Sequence, residues 1–194
     1  MTIKHIELLP SEEGVTNIKF TDKPIVPFLT FTNMTIKEIA ESYIGQKEKR
    51  GNMGFIDESF DKKMRGVGFY DGAPWCGFFA MLVWKEAGQD ISLLSASSRR
   101  IIEKATKARN WHSEPKEGAI VVWATFKGGK RQTTGHIGVV TKVDGMTYTT
   151  VEGNTTEKGG RDGVIVAQRT RVLSKEAWKT SNGLRLMGFC YPEQ

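Results

Sequence analysis

The chain has few of the features that mark a disulfide-rich protein or a membrane protein. Among its 194 residues there are only two cysteines, at positions 76 and 190. Two distant cysteines do not make a disulfide framework, which indicates synthesis in a reducing compartment. No apolar run approaches the roughly 20 residues that span a bilayer, and the first ten residues lack a basic segment followed by an apolar one. We therefore expect a protein made in the cytoplasm, without membrane insertion or a signal peptide.

A strong asymmetry of charge is also lacking. The formal net charge is +6, but the basic residues are scattered, with small clusters at 47–50, 99–100 and 127–131. No base-reading motif accompanies these clusters, so nucleic acid is not expected as a partner. A positive surface favours any polyanion, a bacterial envelope included, and it equally serves ordinary solubility.

The composition and length are those of a globular protein with one main domain. Hydrophobic residues make up 39% of the chain and charged residues 26%, which are ordinary shares for a folded domain. Residues 1–34 contain three of the six prolines and short apolar patches. We predict that they form an N-terminal arm, either extended or with a short strand, and a partner-docking segment is an open alternative. Residues 35–194 are predicted to form the main domain.

The order of the predicted elements indicates an α+β fold. Apolar residues recur at helical spacing in the first half of the domain, and β-branched residues at strand spacing fill the second half. Helices are predicted at 36–44, 57–63, 75–87 and 93–108, and strands at 119–126, 135–143, 146–154, 163–170 and 184–191. Helices followed by antiparallel strands predict N-terminal helices packed on a sheet of about five strands. The basic stretch 127–134 is predicted to be a flexible loop that borders the cleft, and a solvated hairpin loop is an equally weighted alternative.

The predicted helix over 75–87 places Cys76 in its first turn. The apolar residues of this stretch follow the three-to-four spacing of a buried face, and Gly88 suits the left-handed position just after a helix. Unpaired N–H groups and the helix dipole favour negative charge at this end, and cysteines so placed are often reactive. The alternative is a small buried apolar residue.

A predicted hairpin brings a histidine and a carboxylate together. A three-residue turn over 143–145, with Gly145 in the left-handed position, sets a register in which His136 lies directly opposite Glu152. Asn154 is two residues further along and shares that face. A two-residue turn would instead place His136 and Glu152 on opposite faces.

A thiol, a histidine and a carboxylate in these positions are the parts of a cysteine nucleophile system. The histidine removes or holds the thiol proton, and the carboxylate fixes the imidazole tautomer. A zinc site is the rival interpretation, but zinc needs three or four ligands, often in close pairs. No calcium-loop motif occurs among Asp57, Asp61 and Asp71 either. We expect neither a metal nor a cofactor.

Three short blocks resemble the signature blocks of the CHAP domain, a family of the papain-like NlpC/P60 group of cysteine peptidases and amidases. The blocks are residues 75–79 (WCGFF), 135–140 (GHIGVV) and 151–155 (VEGNT). The stretches 44–48 and 52–54 also resemble the first helix of CHAP domains in phage lysins. The similarity covers roughly residues 35–192.

This resemblance implies a papain-like fold and hydrolysis of an amide in peptidoglycan through a cysteine thioester. The enzyme would be an N-acetylmuramoyl-L-alanine amidase or a stem-peptide endopeptidase. The resemblance assigns Cys76 as the nucleophile, His136 as the base, and Glu152 or Asn154 as the residue that orients it. The Cys76 backbone N–H is expected to be one oxyanion donor, and Tyr70 and Trp75 are candidates for a second donor or for substrate contacts.

The expected partner is bacterial peptidoglycan, and the expected state is a monomer that acts on the cell wall after release or delivery. A phage lysin is the first prediction for its biological setting. One alternative is an interbacterial toxin with the same chemistry, which would have an immunity protein. The other is a non-catalytic envelope-binding or virion structural protein that keeps the fold.

Overall fold

The computed structural model describes the backbone of residues 5–9 and 17–21 and, in full, residues 34–156 and 163–193. The chain divides into two compact units, Met1–Asn33 and Met34–Gln194. In the first unit, β1 (His5–Leu9) pairs antiparallel with β2 (Asn17–Thr21). The rest of the predicted arm, with its prolines, lies outside the described residues.

Within the described part of the second unit, four helices precede the sheet. They are α1 (Ile36–Ser42), α2 (Glu58–Arg65), α3 (Cys76–Glu86) and α4 (Ser98–Lys107). The start of α1 is fixed by a capping box, because Thr35 Oγ1 accepts from the Glu38 N–H and the Glu38 carboxylate accepts from the Thr35 N–H. Each helix lies where the apolar spacing predicts one, although α4 begins five residues later than predicted.

Five antiparallel strands form the sheet of the second unit. They are β3 (Ile120–Lys127), β4 (Lys130–Asp144), β5 (Thr147–Thr155), β6 (Ile165–Val172) and β7 (Gly183–Cys190). Their spatial order is β6-β5-β4-β3-β7. A short helix that the sequence did not predict, α5 (Lys175–Lys179), joins β6 to β7. Helices followed by a five-stranded antiparallel sheet confirm the α+β prediction.

The helices and the sheet share a continuous apolar core. Phe79, Leu82 and Val83 of α3 are at most 3% exposed and belong to the same buried cluster as Val122 and Val151 of the sheet. Burying side chains of this size stabilises a fold by roughly 1.5–3 kcal/mol each. At Gly153 of β5 there is no room for a side chain, because an added Cβ would lie 2.6 Å from the Trp75 ring. This close contact brings the end of β5 to the start of α3.

The prediction of a flexible loop over 127–134 is wrong. The strand β3 runs to Lys127 and β4 already begins at Lys130. Gly128 and Gly129 make a two-residue turn, with φ angles of 56° and 75°. Turns that match the strand twist need positive φ at both central residues, and glycine adopts it without strain. The basic residues therefore lie on a hairpin.

The three-residue turn predicted between β4 and β5 is also wrong. Asp144 pairs with Thr147, so the turn contains two residues, Gly145 and Met146. The Gly145 φ of 57° suits the mirror-image turns of tight hairpins. Taken alone, this turn would place His136 on the face opposite to Glu152.

One extra residue in β4 reverses that effect. Lys142 pairs with Thr149, but the next pair along the ladder is Val140 with Thr150. Thr141 is therefore unpaired in the ladder and forms a β-bulge. Because side chains alternate between faces at every residue, one extra residue exchanges the faces of the whole strand beyond it. The bulge restores the alternation that the predicted register gave.

Candidate active site

Cys76 occupies the first position of α3, as predicted. The residue before it, Trp75, makes no side-chain hydrogen bond to cap the helix, so the N–H groups of the first turn are not used by a cap. Cys76 is 7% exposed and lines a cavity of about 280 Å³. These N–H groups and the helix dipole favour negative charge at the cavity.

His136 and Glu152 form a buried pair. The distance between His136 Nε2 and Glu152 Oε2 is 2.9 Å, and the two residues are 2% and 0% exposed. They share a face because of the bulge at Thr141. Gly138 leaves room for the carboxylate arm, since an added Cβ there would lie 2.9 Å from Glu152 Cγ. The predicted contact exists, although the observed register makes it diagonal and not directly opposite.

Cys76 and the same imidazole both line the cavity, and the Cys76 side chain is among the groups that raise the pKa of His136. Because Nε2 is engaged by Glu152, Nδ1 is the nitrogen that remains for the sulfur. Burial opposes protonation of His136, but its interactions with Cys76 and with the Glu152 carboxylate prevail and raise its pKa to about 9. Burial also opposes ionisation of Glu152, but His136 and Arg171 hold its pKa well below the usual range. The pair is therefore an imidazolium and a carboxylate beside the Cys76 sulfur.

Two further residues hold Glu152, and neither was predicted from the sequence. Thr150 Oγ1 donates to Glu152 Oε1 at 2.6 Å. Arg171 Nη2 lies 2.7 Å from both carboxylate oxygens, and its Nε lies 3.0 Å from Oε1. The period of two along β5 could have predicted the contact of Thr150, because Thr150 shares the face of Glu152. No local pattern predicts the contact of Arg171, because its position depends on the register of β6.

Asn154 contacts the nucleophile turn and not the histidine. Its Oδ1 accepts from the Trp75 backbone N–H at 3.1 Å, and its Nδ2 donates to the Gly163 carbonyl at 2.7 Å. Its φ of 55° is left-handed, which asparagine tolerates better than most residues. Asn154 also lines the cavity with Cys76. Its contacts fit a residue that fixes the backbone just before the thiol.

Neither Tyr70 nor Trp75 has its side chain in the cavity. Tyr70 is 65% exposed and packs edge-on against Phe78, and it is not among the lining residues. Trp75 is fully buried, and its indole N–H donates to the Glu48 carboxylate. The burial of Trp75 rules out side-chain contact with a substrate, so its ring is part of the core.

The remaining wall of the cavity comes from two segments. Residues 96–98 line one side, and Thr133 and Thr134 of β4 line another. The 95–96 backbone packs on Gly77, where an added Cβ would lie 2.6 Å from the Ser95 carbonyl oxygen. Residues 96–98 were not predicted to line the cavity, because the sequence pattern predicts a helix there. The stretch before His136 was predicted to border the cleft, and Thr133 and Thr134 do line it.

The surroundings of Cys190 and His112 indicate a structural role for each of them. Cys190 is 0% exposed, and burial raises the pKa of its thiol to about 11. His112 stacks on the Tyr191 ring at 3.8 Å and lies 3.1 Å from Asn110 Oδ1. Both residues are absent from the lining of the cavity.

The three aspartates considered for calcium have protein partners. Asp57 caps α2, and Asp61 and Asp71 form ion pairs with Arg65. Among the described residues, no group of three or more acidic, cysteine or histidine side chains is placed to hold a metal ion.

Two substitutions separate the roles of Glu152 and Asn154. We expect Glu152→Gln to slow alkylation of Cys76 by iodoacetamide at pH 6, because the amide keeps the shape of the carboxylate but loses the charge that favours imidazolium. We expect Asn154→Ala to lower the free energy of unfolding by about 1–2 kcal/mol, since it removes a buried acceptor of the Trp75 N–H. If Asn154→Ala slows alkylation more than Glu152→Gln does, Asn154 is the orienting residue.

The pH dependence of stability provides a separate prediction. The pKa of His136 is raised on folding from its unfolded value of about 6.5, so its ion pair contributes stability that is fully present below pH 6.5 and lost as the pH rises through about 9. Urea unfolding at pH 6 and pH 9.5 should show a larger loss of unfolding free energy in the wild type than in His136→Gln. Equal losses in the two proteins would contradict the ion pair.

Comparison with known proteins gives a match to one family model. The family model for the CHAP domain matches residues 68–154, a segment that contains Cys76, His136, Glu152 and Asn154. No curated protein and no solved structure matches the chain. No helix in the described ranges is both long and apolar enough to cross a bilayer. CHAP domains are generally cysteine-type amidases or peptidases of peptidoglycan. Residues 68–154 of this chain are therefore similar to a CHAP domain, and the thiol, imidazole and carboxylate described above lie within them.

Proposed function

We propose that the protein hydrolyses an amide bond of bacterial peptidoglycan through a thioester on Cys76. One observation carries this proposal: the Cys76 thiol, at the start of a helix, shares the wall of a cavity with an imidazole that lies 2.9 Å from a buried carboxylate. This is the arrangement of a nucleophile, a base and an orienting group. The family match supports peptidoglycan as the substrate class.

In the first half of the reaction, the Cys76 sulfur, as thiolate, attacks the carbonyl carbon of the scissile amide. A carbon–sulfur bond forms and the electron pair of the carbonyl moves to its oxygen. When this intermediate collapses, the carbon–nitrogen bond breaks and the nitrogen takes the proton from His136 Nδ1. A free amine leaves, and the acyl group remains on Cys76 as a thioester.

In the second half, neutral His136 takes a proton from water as the water oxygen attacks the thioester carbon. Collapse breaks the carbon–sulfur bond, releases a carboxylic acid and regenerates the thiolate beside imidazolium. Glu152 accepts from Nε2 throughout and so keeps Nδ1 directed at the reacting atoms. The Cys76 backbone N–H, at the uncapped start of α3, donates to the developing oxyanion.

The shape of the surface beside the thiol suits a chain-like substrate. A second, more open cavity of about 500 Å³ also has Thr133 and Thr134 in its wall. Its other lining residues include Lys127 and Asn182. A polymer lying across the two threonines would extend from the thiol into this second cavity.

The proposal is tested by digesting purified peptidoglycan and identifying the products by mass spectrometry. Cleavage by an amidase separates intact stem peptides from the glycan, whereas cleavage by an endopeptidase leaves shortened stems on it. Cys76→Ala is the control for contaminating hydrolases. Cleavage by the wild type alone supports the proposal and identifies the bond. The absence of new products with walls of several chemotypes would contradict it and favour a binding or structural protein.

A phage lysin and an interbacterial toxin would use this same chemistry. We propose the lysin as the setting, because the stretches 44–48 and 52–54 resemble the first helix of CHAP domains in phage lysins. Lysis by protein added from outside or released inside a host cell would support this setting. Neutralisation by the product of a neighbouring gene would identify an immunity protein and favour the toxin.

A further inference from the structure

We propose that Arg171 is a positioning residue of this site, which holds the Glu152 carboxylate in the orientation and the charge state that His136 needs. This inference rests on the proposed function, because it gives Arg171 a part in the same hydrolysis. Arg171 lies in β6, beyond the segment that matches the family model.

The geometry of the contact fixes the plane of the carboxylate. The Nη2 atom of Arg171 lies 2.7 Å from both oxygens of Glu152, and Nε adds a bond of 3.0 Å to Oε1. Thr150 Oγ1 donates to the same Oε1 at 2.6 Å. With Oε1 held by these donors, Oε2 is directed at His136 Nε2. Rotation of the carboxylate would break several charge-assisted hydrogen bonds at once.

The charge balance explains why an arginine is needed. Glu152 is 0% exposed, and a buried carboxylate is costly without an opposite charge. His136 supplies that charge only while it is protonated, and in the proposed reaction it gives its proton to the leaving amine. Arg171 remains charged at every stage. Glu152 can therefore stay ionised, and keep accepting from Nε2, when the imidazole is neutral.

The indole ring of Trp123 contacts both the Arg171 guanidinium and the His136 imidazole. The guanidinium carbon of Arg171 lies 4.7 Å from the centre of the Trp123 ring, within the range of a cation–π contact. The same ring stacks on the His136 imidazole, with centroids 5.9 Å apart and planes at 27°. Trp123 is 4% exposed. A shift of Arg171 would thus disturb both the Trp123 ring, on which the imidazole stacks, and the Glu152 carboxylate.

Five titratable or charged groups face one another in this cluster. They are Cys76 of α3, His136 of β4, Tyr148 and Glu152 of β5, and Arg171 of β6. Burial raises the pKa of Tyr148, so its phenol is neutral. Removing the charge of Arg171 takes one permanent positive charge from the cluster. Loss of a nearby positive charge makes protonation easier, so the pKa values of both His136 and Glu152 should rise.

The test is the rate of Cys76 alkylation by iodoacetamide between pH 4 and pH 10, followed by mass spectrometry of the Cys76 peptide. The variants are Arg171→Gln, which removes the charge, and Arg171→Lys, which keeps a charge but lacks the second donor nitrogen that bonds to Oε1. Arg185→Gln is the matched control, because Arg185 also stacks on an aromatic ring, that of Phe126, at 3.5 Å and has its own partner in the Thr180 carbonyl.

Plotted against pH, the rate of Cys76 alkylation should have an acid inflection and an alkaline inflection. We expect Arg171→Gln to move both inflections to higher pH. On the acid limb, an inflection that lies one pH unit higher lowers the rate about tenfold at a fixed pH. The profile of Arg171→Lys should lie between those of Arg171→Gln and the wild type, and that of Arg185→Gln should superimpose on the wild type. For peptidoglycan, kcat should fall more than KM rises. A folded Arg171→Gln protein with the wild-type profile would overturn the proposal.

The alkylation profile needs no substrate, so it separates this proposal from the proposed function. A wild type that cleaves no peptidoglycan would refute the function, while the profile would still decide the role of Arg171. If circular dichroism shows that Arg171→Gln does not fold, Arg171→Lys takes its place. A reduced kcat at unchanged KM would then support the proposal, and a wild-type profile with wild-type kcat would overturn it.

Discussion

Replacing Cys76 by alanine is expected to abolish peptidoglycan hydrolysis and to leave the protein folded. The Cys76 sulfur is the only protein atom that bonds covalently to the substrate in the proposed mechanism, and loss of a nucleophile of this kind lowers kcat by on the order of 10³-fold or more. Stability should change little, because Cys76 lies at the wall of a cavity and alanine fills nearly the same space. The measurement is the release of soluble fragments from purified peptidoglycan, with thermal unfolding recorded on the same samples.

Cys190 provides the matched control for this substitution. It is 0% exposed, and burial raises the pKa of its thiol, so Cys190→Ala should retain the wild-type rate at a temperature where the variant is folded. A Cys76→Ala protein that keeps its activity would remove the nucleophile assignment. Loss of activity in folded Cys190→Ala would mean that the wrong cysteine has been chosen.

Replacing His136 by alanine should have the second largest effect, a loss of several orders of magnitude in kcat. The substitution removes both the acid that protonates the leaving amine and the base that activates water, and each such contribution is typically worth about 10²–10⁴-fold. Alkylation of Cys76 at pH 6 should also slow, because the imidazolium that stabilises a thiolate is lost. The fold should survive, since Arg171 and Thr150 still compensate the buried Glu152 carboxylate.

His112→Ala is the control for the second experiment. His112 stacks on Tyr191 and is not among the residues that line the cavity, so turnover and alkylation should both match the wild type. If His136→Ala lowers turnover but leaves alkylation unchanged, the start of α3 alone accounts for the reactive thiol. His136 would then act only later, as the acid that protonates the amine.

Much of the site could be predicted from the sequence because its elements obey local rules. The apolar spacing before Gly88 places Cys76 at the start of a buried helix, and the β-branched stretches around His136 and Glu152 are strands. These patterns hold whatever the rest of the chain does, since they follow from the periods of helix and strand. The order of helices before strands likewise determines the α+β class.

The meeting of His136 with Glu152 was predicted correctly from a register that was wrong in detail. The three-residue turn is in fact a two-residue turn, and the bulge at Thr141 compensates for the difference. Only the parity of the register decides which face a side chain occupies, so a shift of three residues at the turn and a shift of one at the bulge together leave the faces unchanged. No local pattern marks the bulge, because Thr141 is β-branched like Val140 before it and Val143 after it.

The tertiary structure alone decided what surrounds these groups. Arg171 reaches Glu152 because β6 pairs with β5 beyond a connecting segment, and contacts between strands so joined depend on a register that no residue pattern encodes. The burial of Trp75 and the bond from its backbone N–H to Asn154 arise in the same way, where the end of β5 packs on the start of α3. The sequence by itself determined that Cys76 lies at the start of a helix and that His136 and Glu152 lie on strands, since each position follows from the period of its own element. The residues that orient these groups and stabilise their charges could be identified only from the tertiary structure, because these contacts join elements that are distant in sequence.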